Sequence, residues 1–375
     1  MLAATTPLLL QAPHDLPQAV NLLRAGQVVA IPTETVFGLA ALANHDEAVQ
    51  AVFTRKRRPL HKPLIAHIGQ QDKDAKSLQR KQILGSLSRD QIELFDRLSR
   101  NFWPGPLSII LPRGSGLCAA ATSGLPYVAV RMPDQPDTLD LIDRIGFPLV
   151  APSANLFSKL SPTRMEHLIA SGIADYILKP SKDGLPIGIE STMLSLTQPD
   201  RPVILRPGPL SLASLEAVLN RKVFFDLEQT QKASGQCTHH YQPDYPLLYL
   251  KSPFEQLSPH ALNWLKEQLS NNWSEVVVSS PERIASFEAK LSFNAIHCLS
   301  DPYNEEKIAQ NLFAKLASLG QQWKESRMQK SFLCVVEPMH APYPSDELPQ
   351  SGLLSAVHDR LTKAKTHDDY DSRGP

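Results

Sequence analysis

Short apolar runs that stop at an X-Pro dipeptide set the strongest limit on what this chain can build. Ile31-Pro32, Leu111-Pro112 and Ala151-Pro152 each close such a run, and proline, present 32 times, disfavours helical geometry in the residue before it. The runs therefore read as buried strands that pass into extended loops. Helix signals fall between them. Asp15 as N-cap, Pro17 in the first turn, apolar Ala19, Leu22 and Leu23, and Gly26 as terminator predict a first helix. Asp46 caps a second, which carries Val49, Val52 and Phe53. Strands are expected at 28–31, 64–68, 107–111, 127–130, 147–150, 176–178, 193–196 and 203–205, with a helix over 163–170. This pattern is that of an α/β domain with a sheet at its centre.

The rhythm breaks over 224–246, where Gln, Lys, Ser, Gly, His and Pro collect, as in an interdomain connection. A second set of strands is expected at 247–250, 276–278, 295–297 and 332–336, separated by helices beginning near Pro259, Pro281 and Asn304. The last of these helices places Ile308, Leu312, Phe313 and Leu316 on one face. Strands alternating with helices predict a small parallel-sheet unit. The expected organisation is a first domain over 1–223, a linker or lid over 224–246, a smaller Rossmann-like α/β domain over 247–345, and a C-terminal segment over 346–375. Beyond Leu361 the charged composition reads as a frayed tail.

Lys plus Arg and Asp plus Glu each total 38, so no global field draws the chain to nucleic acid or to an anionic membrane, and any attraction for phosphate must be local. Four cysteines with no zinc-ligand spacing exclude a disulfide scaffold and point to reducing cytosol. Leu8, Leu9 and Leu10 lack the basic flank of a secretory signal. No apolar run reaches spanning length, so a cytoplasmic protein without membrane association is expected.

Several polar groups follow predicted strands, where α/β sheets bind ligands. Thr33-Glu34-Thr35 form a hydroxyl-rich, carboxylate-bearing turn, which could equally cap its own backbone. The run Arg55-Lys56-Arg57-Arg58-Pro59-Leu60-His61-Lys62-Pro63 would ordinarily be a solvated face, yet its two prolines stiffen it and lower the cost of ordering cations on a polyphosphate. His67 lies within a strand, where a satisfied core histidine is the plain alternative. Arg131 ends a strand with a fork suited to a carboxylate; a surface ion pair is the alternative. Ser153, Asn155, Ser161, Thr163, Glu190, Ser191 and Arg206 repeat the theme. His239-His240-Tyr241 lacks a third metal ligand and is not read as a metal site. Gly114-Ser115-Gly116 matches part of a dinucleotide fingerprint, but too little chain follows for a crossover helix. No P-loop is present.

Taken in order, P-T-E-T-V-F-G-L, K-R-R-P with K-P-L-I-A-H-I, Y-V-A-V-R-M-P, A-P-S-A-N, S-P-T, I-E-S-T and L-R-P-G resemble the YrdC-like threonylcarbamoyl-AMP synthase family. Two C-terminal stretches, A-Q-N-L-F-A-K-L and A-V-H-D-R-L-T-K-A, resemble its long two-domain form. The resemblance implies a YrdC-like twisted open sheet and the condensation of L-threonine, bicarbonate or CO2 and ATP into threonylcarbamoyl-AMP. The product would be handed to a tRNA threonylcarbamoyl-transfer complex. By similarity, Thr35, His67, Arg131, Ser153 and Ser191 would hold threonine, Arg131 taking its carboxylate in a two-pronged grip. Lys56, Arg58, Lys62, Asn155, Thr163 and Arg206 would bind ATP; Tyr127, where the family often has threonine, joins them, as do His240 and Tyr241 of the linker. Magnesium would accompany ATP, its protein ligands being unknown. Catalysis would rest on positioning and on charge neutralisation by Lys56 and Arg58, without a side-chain nucleophile. The competing reading is a double-stranded RNA-binding module without chemistry, weakened by the zero net charge and the lack of an aromatic platform.

Overall fold

The computed structural model describes residues 6–182, 187–225, 240–250, 257–288, 291–301, 303–326, 332–336 and 351–364. Of the expected linker, 226–239 lie outside the described residues, as do 337–350 and the tail from 365. The chain divides into two compact units, Met1–Phe157 with Ser161–Gln236, and Cys237–Pro375 with Ser158–Leu160.

The first unit carries strands β1 (Leu8–Gln11), β2 (Val29–Ile31), β3 (Gly38–Leu42), β4 (Ile65–His67), β5 (Leu107–Pro112), β6 (Tyr127–Arg131), β7 (Leu149–Val150), β8 (Tyr176–Lys179), β9 (Thr192–Ser195), β10 (Val203–Arg206) and β11 (Phe224–Phe225). Its helices are α1 (Leu16–Arg24), α2 (Asp46–Lys56), α3 (Ala75–Arg80), α4 (Arg89–Phe102), α5 (Pro136–Ile145), α6 (Met165–Ser171) and α7 (Leu212–Leu219). The strands form one mixed sheet in the order β1-β8-β2-β3-β7-β4-β6-β5-β9-β10-β11. Antiparallel β3 was not foreseen: Gly38–Leu42 runs straight out of the polar turn, and its apolar residues pair with β2. Asp15 stands before α1 as expected but makes no side-chain cap; its carboxylate accepts from the Gln11 amide instead.

Strand parity sorts the core. At β2, Ala30 and Val28, the residue just before the strand, face one cluster with α2 and α4, through Val49, Val52, Leu94, Phe95 and Leu98. Val29 and Ile31 face the other side, where Leu16, Ala19 and Leu23 of α1 and Leu141 of α5 cover the sheet. Alternate side chains must point to opposite faces, so a strand buried on both sides is apolar throughout. Over β4, β6, β5, β9 and β10 the face opposite the α2–α4 cluster holds a small apolar group of strand residues alone: Ile65 and Met193, with Ile110, Ala129 and Leu205 beside them.

The second unit has strands β12 (Leu247–Tyr249), β13 (Trp273–Val278), β14 (Ala295–Cys298) and β15 (Phe332–Val336), and helices α8 (Pro259–Asn271), α9 (Ile284–Glu288), α10 (Glu305–Ser326) and α11 (Gly352–Ala364). All pairings are parallel, in the order β12-β15-β13-β14. Asn304 caps α10 through the Lys307 amide. Ile308, Leu312, Phe313 and Leu316 are all buried, as their spacing predicts.

Candidate active site

The polar site residues share the parity of the small strand-only cluster. On β4, His67 is two residues from Ile65; on β6, Arg131 is two from Ala129 and four from Tyr127; on β5, Ser108 is two from Ile110; before β9, Ser191 is two from Met193. All therefore project to one face of the sheet. Tyr127 is 43% exposed there. On β10 the register against β9 slips, so that Ile204 pairs with Leu194 but Arg206 with Met193. Such a bulge re-aims a side chain. Without it Arg206 would share the side of Ile204, in the apolar core.

Around Arg131 a tight network forms. Its Nη2 donates to Glu34 Oε1 at 2.6 Å and to Thr35 Oγ1 at 3.0 Å, and its Nε to the Gly105 carbonyl at 3.3 Å. The Asp134 amide donates to Glu34 Oε2 at 3.0 Å. Thr33 Oγ1 lies 2.9 Å from Thr35 Oγ1 and accepts from the Thr35 and Val36 amides, which shapes the turn. The two-pronged grip expected of Arg131 is thus not available in this arrangement, because Nε and Nη2 are already engaged; Nη1 is the remaining edge. His67, buried against Arg131, has its imidazole pKa pushed down to about 3, first by burial and then by the guanidinium, with a weaker opposing hydrogen bond to the Ile65 carbonyl. It is neutral at working pH.

Burial divides the basic run. Arg55 pairs with Asp175 at the surface, and Arg57, left-handed at φ 50°, ends α2 exposed. Lys56, Arg58 and Lys62 are buried. Lys56 donates to the Ser153 carbonyl and, at 2.6 Å, to the Asn155 carbonyl. Burial and neighbouring Arg58 hold its ammonium well below the usual lysine range, against the pull of Glu190. Lys56 therefore ties down the Ser153–Asn155 turn, which itself pairs with Gly38. Arg58 donates from Nε to the Lys62 carbonyl and from Nη2 to that of Pro63, both at 3.0 Å, and its guanidinium lies 5.8 Å from the Phe157 ring centroid. The stiffening suggested by Pro59 and Pro63 is reinforced by a side chain.

A third knot joins the last motifs. Arg206 donates from Nε to the Ser191 carbonyl at 3.1 Å and from Nη2 to Ser191 Oγ at 3.0 Å, and Ser191 Oγ lies 2.8 Å from Ser108 Oγ. Next to it, Ser161 donates to Glu190 at 2.6 Å. Thr163 is buried, and its hydroxyl has no hydrogen-bond partner among the described residues.

His240 and Tyr241 belong to the second unit. There the Tyr241 ring stacks on Phe313 at 5.5 Å, with the Arg360 guanidinium 5.4 Å from its centroid, and the His240 amide donates to the Lys363 carbonyl. Sequence reasoning singled out Glu34 and Glu190 as polar groups after strands without giving either a partner or a substrate, and it missed Ser108. A carboxylate between the apolar runs Val28–Ile31 and Val36–Ala40 was the available signal for Glu34, since a buried carboxylate demands a cation.

A family model described as Telomere recombination matches residues 21–208, and one described as Threonylcarbamoyl-AMP synthase, C-terminal domain, matches residues 210–366. The chain is 34% identical over 354 residues to the threonylcarbamoyl-AMP synthase of Bacillus subtilis, covering 92% of each. To that of Pyrococcus abyssi it is 33% identical over 305 residues, covering 80% of this chain and 83% of the relative. Among solved structures it is similar to P. abyssi Sua5 complexed with L-threonine, at a TM-score of 0.73 and 28% identity over 97% of this chain and 100% of that one. A histidine-and-tyrosine double alanine variant of the same protein gives 0.75 and 27%, over 97% and 99%.

Proposed function

Since the chain belongs to the threonylcarbamoyl-AMP synthase family, in its two-domain form, we propose that the polar face of its first unit condenses L-threonine, bicarbonate or CO2, and ATP into threonylcarbamoyl-AMP and pyrophosphate. One observation carries this reading. In a chain of zero net charge, four buried basic side chains, Arg58, Lys62, Arg131 and Arg206, gather beside Lys56 with two buried carboxylates, Glu34 and Glu190. Such an excess of positive charge away from water suits a carboxylate and a polyphosphate together.

In this reading the threonine amine attacks the carbon of CO2 and gives up a proton to water or bicarbonate, and the resulting carbamate oxygen attacks the α-phosphorus of ATP as the bond to the bridging oxygen breaks and pyrophosphate leaves. Arg131 receives the threonine carboxylate through Nη1, with Thr35, Ser153 and Ser191 offering hydroxyls. Neutral His67 bounds this subsite without adding a charge. Arg58, Lys62 and Arg206 face phosphate, Asn155, Thr163 and Tyr127 hold the rest of the nucleotide, and Lys56 keeps the Ser153–Asn155 turn in place. Burial also protects the carbamate from water. Magnesium would enter with ATP as the MgATP substrate; the described residues hold no group of three His, Cys, Asp or Glu that could bind a metal.

The product would supply a tRNA threonylcarbamoyl-transfer complex in the cytoplasm. No described helix is long and apolar enough to cross a membrane. The RNA-binding alternative is not favoured, because relatives matching both domains are synthases. The test is pyrophosphate release from MgATP and bicarbonate with and without L-threonine. Threonine-dependent release with a product of the mass of threonylcarbamoyl-AMP is expected; threonine-independent release, or none, would overturn the reading.

A further inference from the structure

We propose that Glu34 is a positioning residue for the amino-acid subsite, holding the Arg131 guanidinium so that Nη1 is the edge presented to the substrate carboxylate. This rests on the reading in which Arg131 receives that carboxylate. An arginine has five N–H donors in a rigid fork. Three of those on Arg131 are directed, one from Nε to Gly105 and two from Nη2 to Glu34 and Thr35. The two on Nη1 make no hydrogen bond among the described residues, and Nη1 is not among the buried polar atoms left without a partner. The fork is therefore closed on two sides and accessible on the third.

Glu34 is itself held at both oxygens. Oε1 accepts from Arg131, Oε2 accepts from the Asp134 amide, and the Glu34 carbonyl accepts from the Ile187 amide at 3.0 Å. The side chain is 2% exposed, so the carboxylate cannot turn away without stranding a charge and an amide. A fixed guanidinium binds an anion without first losing its own rotational freedom. The opposite role is also definable. A carboxylate seated on an arginine could occupy the place of the substrate carboxylate and compete with it. The two roles predict changes of opposite sign when Glu34 loses its charge.

Glu34→Gln preserves volume, but its amide can accept on one side only, so either Arg131 or the Asp134 amide loses its partner. Steady-state pyrophosphate release by the full chain should show the KM for threonine rising about tenfold, the KM for ATP moving by less than about twofold and kcat little changed. In the double variant with Arg131→Ala, the threonine KM should be no worse than with Arg131→Ala alone, because Glu34 acts through Arg131. A lower threonine KM in Glu34→Gln would identify a placeholder and overturn the inference. Equal changes in both KM values, or loss of ATP binding together with a lowered melting temperature, would show a role in the fold only and also overturn it. Arg131→Ala with an unchanged threonine KM would overturn the carboxylate assignment and this inference with it. A large effect of Arg131→Ala beside a silent Glu34→Gln would overturn the inference alone.

Discussion

His67 and Arg131 are register partners on parallel strands β4 and β6, so an imidazole lies beside a guanidinium that is already paired with Glu34. Burial first, and then the neighbouring guanidinium, disfavour the charged imidazole, so His67 stands there neutral.

That relationship has a pH signature. The folded His67 pKa, about 3, lies below its ordinary value of 6.5, so between these limits the native state binds fewer protons than the unfolded chain. Stability therefore falls as pH drops from 6.5 toward 3, by at most about 1.4 kcal/mol per pH unit from this residue. Urea unfolding of the wild type and of His67→Asn, compared across that window, should show a shallower decline in the variant. Parallel profiles would mean that His67 is not held neutral by the fold.

Removing Arg131 leaves the Glu34 carboxylate buried without its cation. Arg131→Ala should cost about 3–5 kcal/mol of stability. Adding Glu34→Ala to it should recover part of that loss, giving a double-mutant cycle with a coupling of roughly 1–3 kcal/mol. Additive losses in denaturant titrations would show that the two groups do not depend on each other.

Gly208 packs against backbone. A Cβ there would stand 2.1 Å from the Thr192 nitrogen and 2.6 Å from the Ser191 carbonyl carbon, which cannot yield as a flexible side chain would. Gly208→Ala should cost about 3 kcal/mol and raise both KM values by displacing Ser191, the partner of Arg206. Gly146, at φ +77° with nothing within 4 Å, faces conformational strain alone, and Gly146→Ala should cost about 1 kcal/mol with kinetics unchanged. Melting temperatures that reverse this order would refute the steric account.

Thr163 offers a separation of stability from function. Its buried hydroxyl has no hydrogen-bond partner among the described residues, so Thr163→Val, of nearly equal shape, should leave stability unchanged or raise it by about 1 kcal/mol. If the hydroxyl contacts nucleotide, the KM for ATP should rise by about tenfold or less with the threonine KM unmoved. An unaltered ATP KM would remove Thr163 from the site.

Much of the architecture is legible in one dimension. The Val28–Ile31 run, the helices expected near Asp15 and Asp46, and the alternating elements after Pro246 all correspond to observed strands and helices, because each is governed by sterics and periodicity within a few residues; the cap of α2 is not Asp46 but His45, whose Nδ1 accepts from the Ala48 amide. β3 escaped because a short apolar strand directly after a turn has the composition of the start of a helix. The face of the sheet that holds the site was also readable in principle: Tyr127, Ala129 and Arg131 alternate with apolar residues, as do Ile65 with His67 and Ser108 with Ile110.

What the sequence by itself determined was the chemical inventory of the site and its order along the chain: hydroxyls after β2, cations between α2 and β4, an arginine closing β6, and a second arginine closing β10. Tertiary structure alone decided which of these groups leave water and what they touch. Arg55 and Arg57 stay at the surface while Lys56 and Arg58 go under; Lys56 finds carbonyls nearly a hundred residues away; a bulge turns Arg206 from the core to the site; and Glu34 closes on Arg131. Local preference is a property of neighbours in sequence. The cost of burying a charge depends on every group that surrounds it in the fold, and those groups come together only when the sheet has formed.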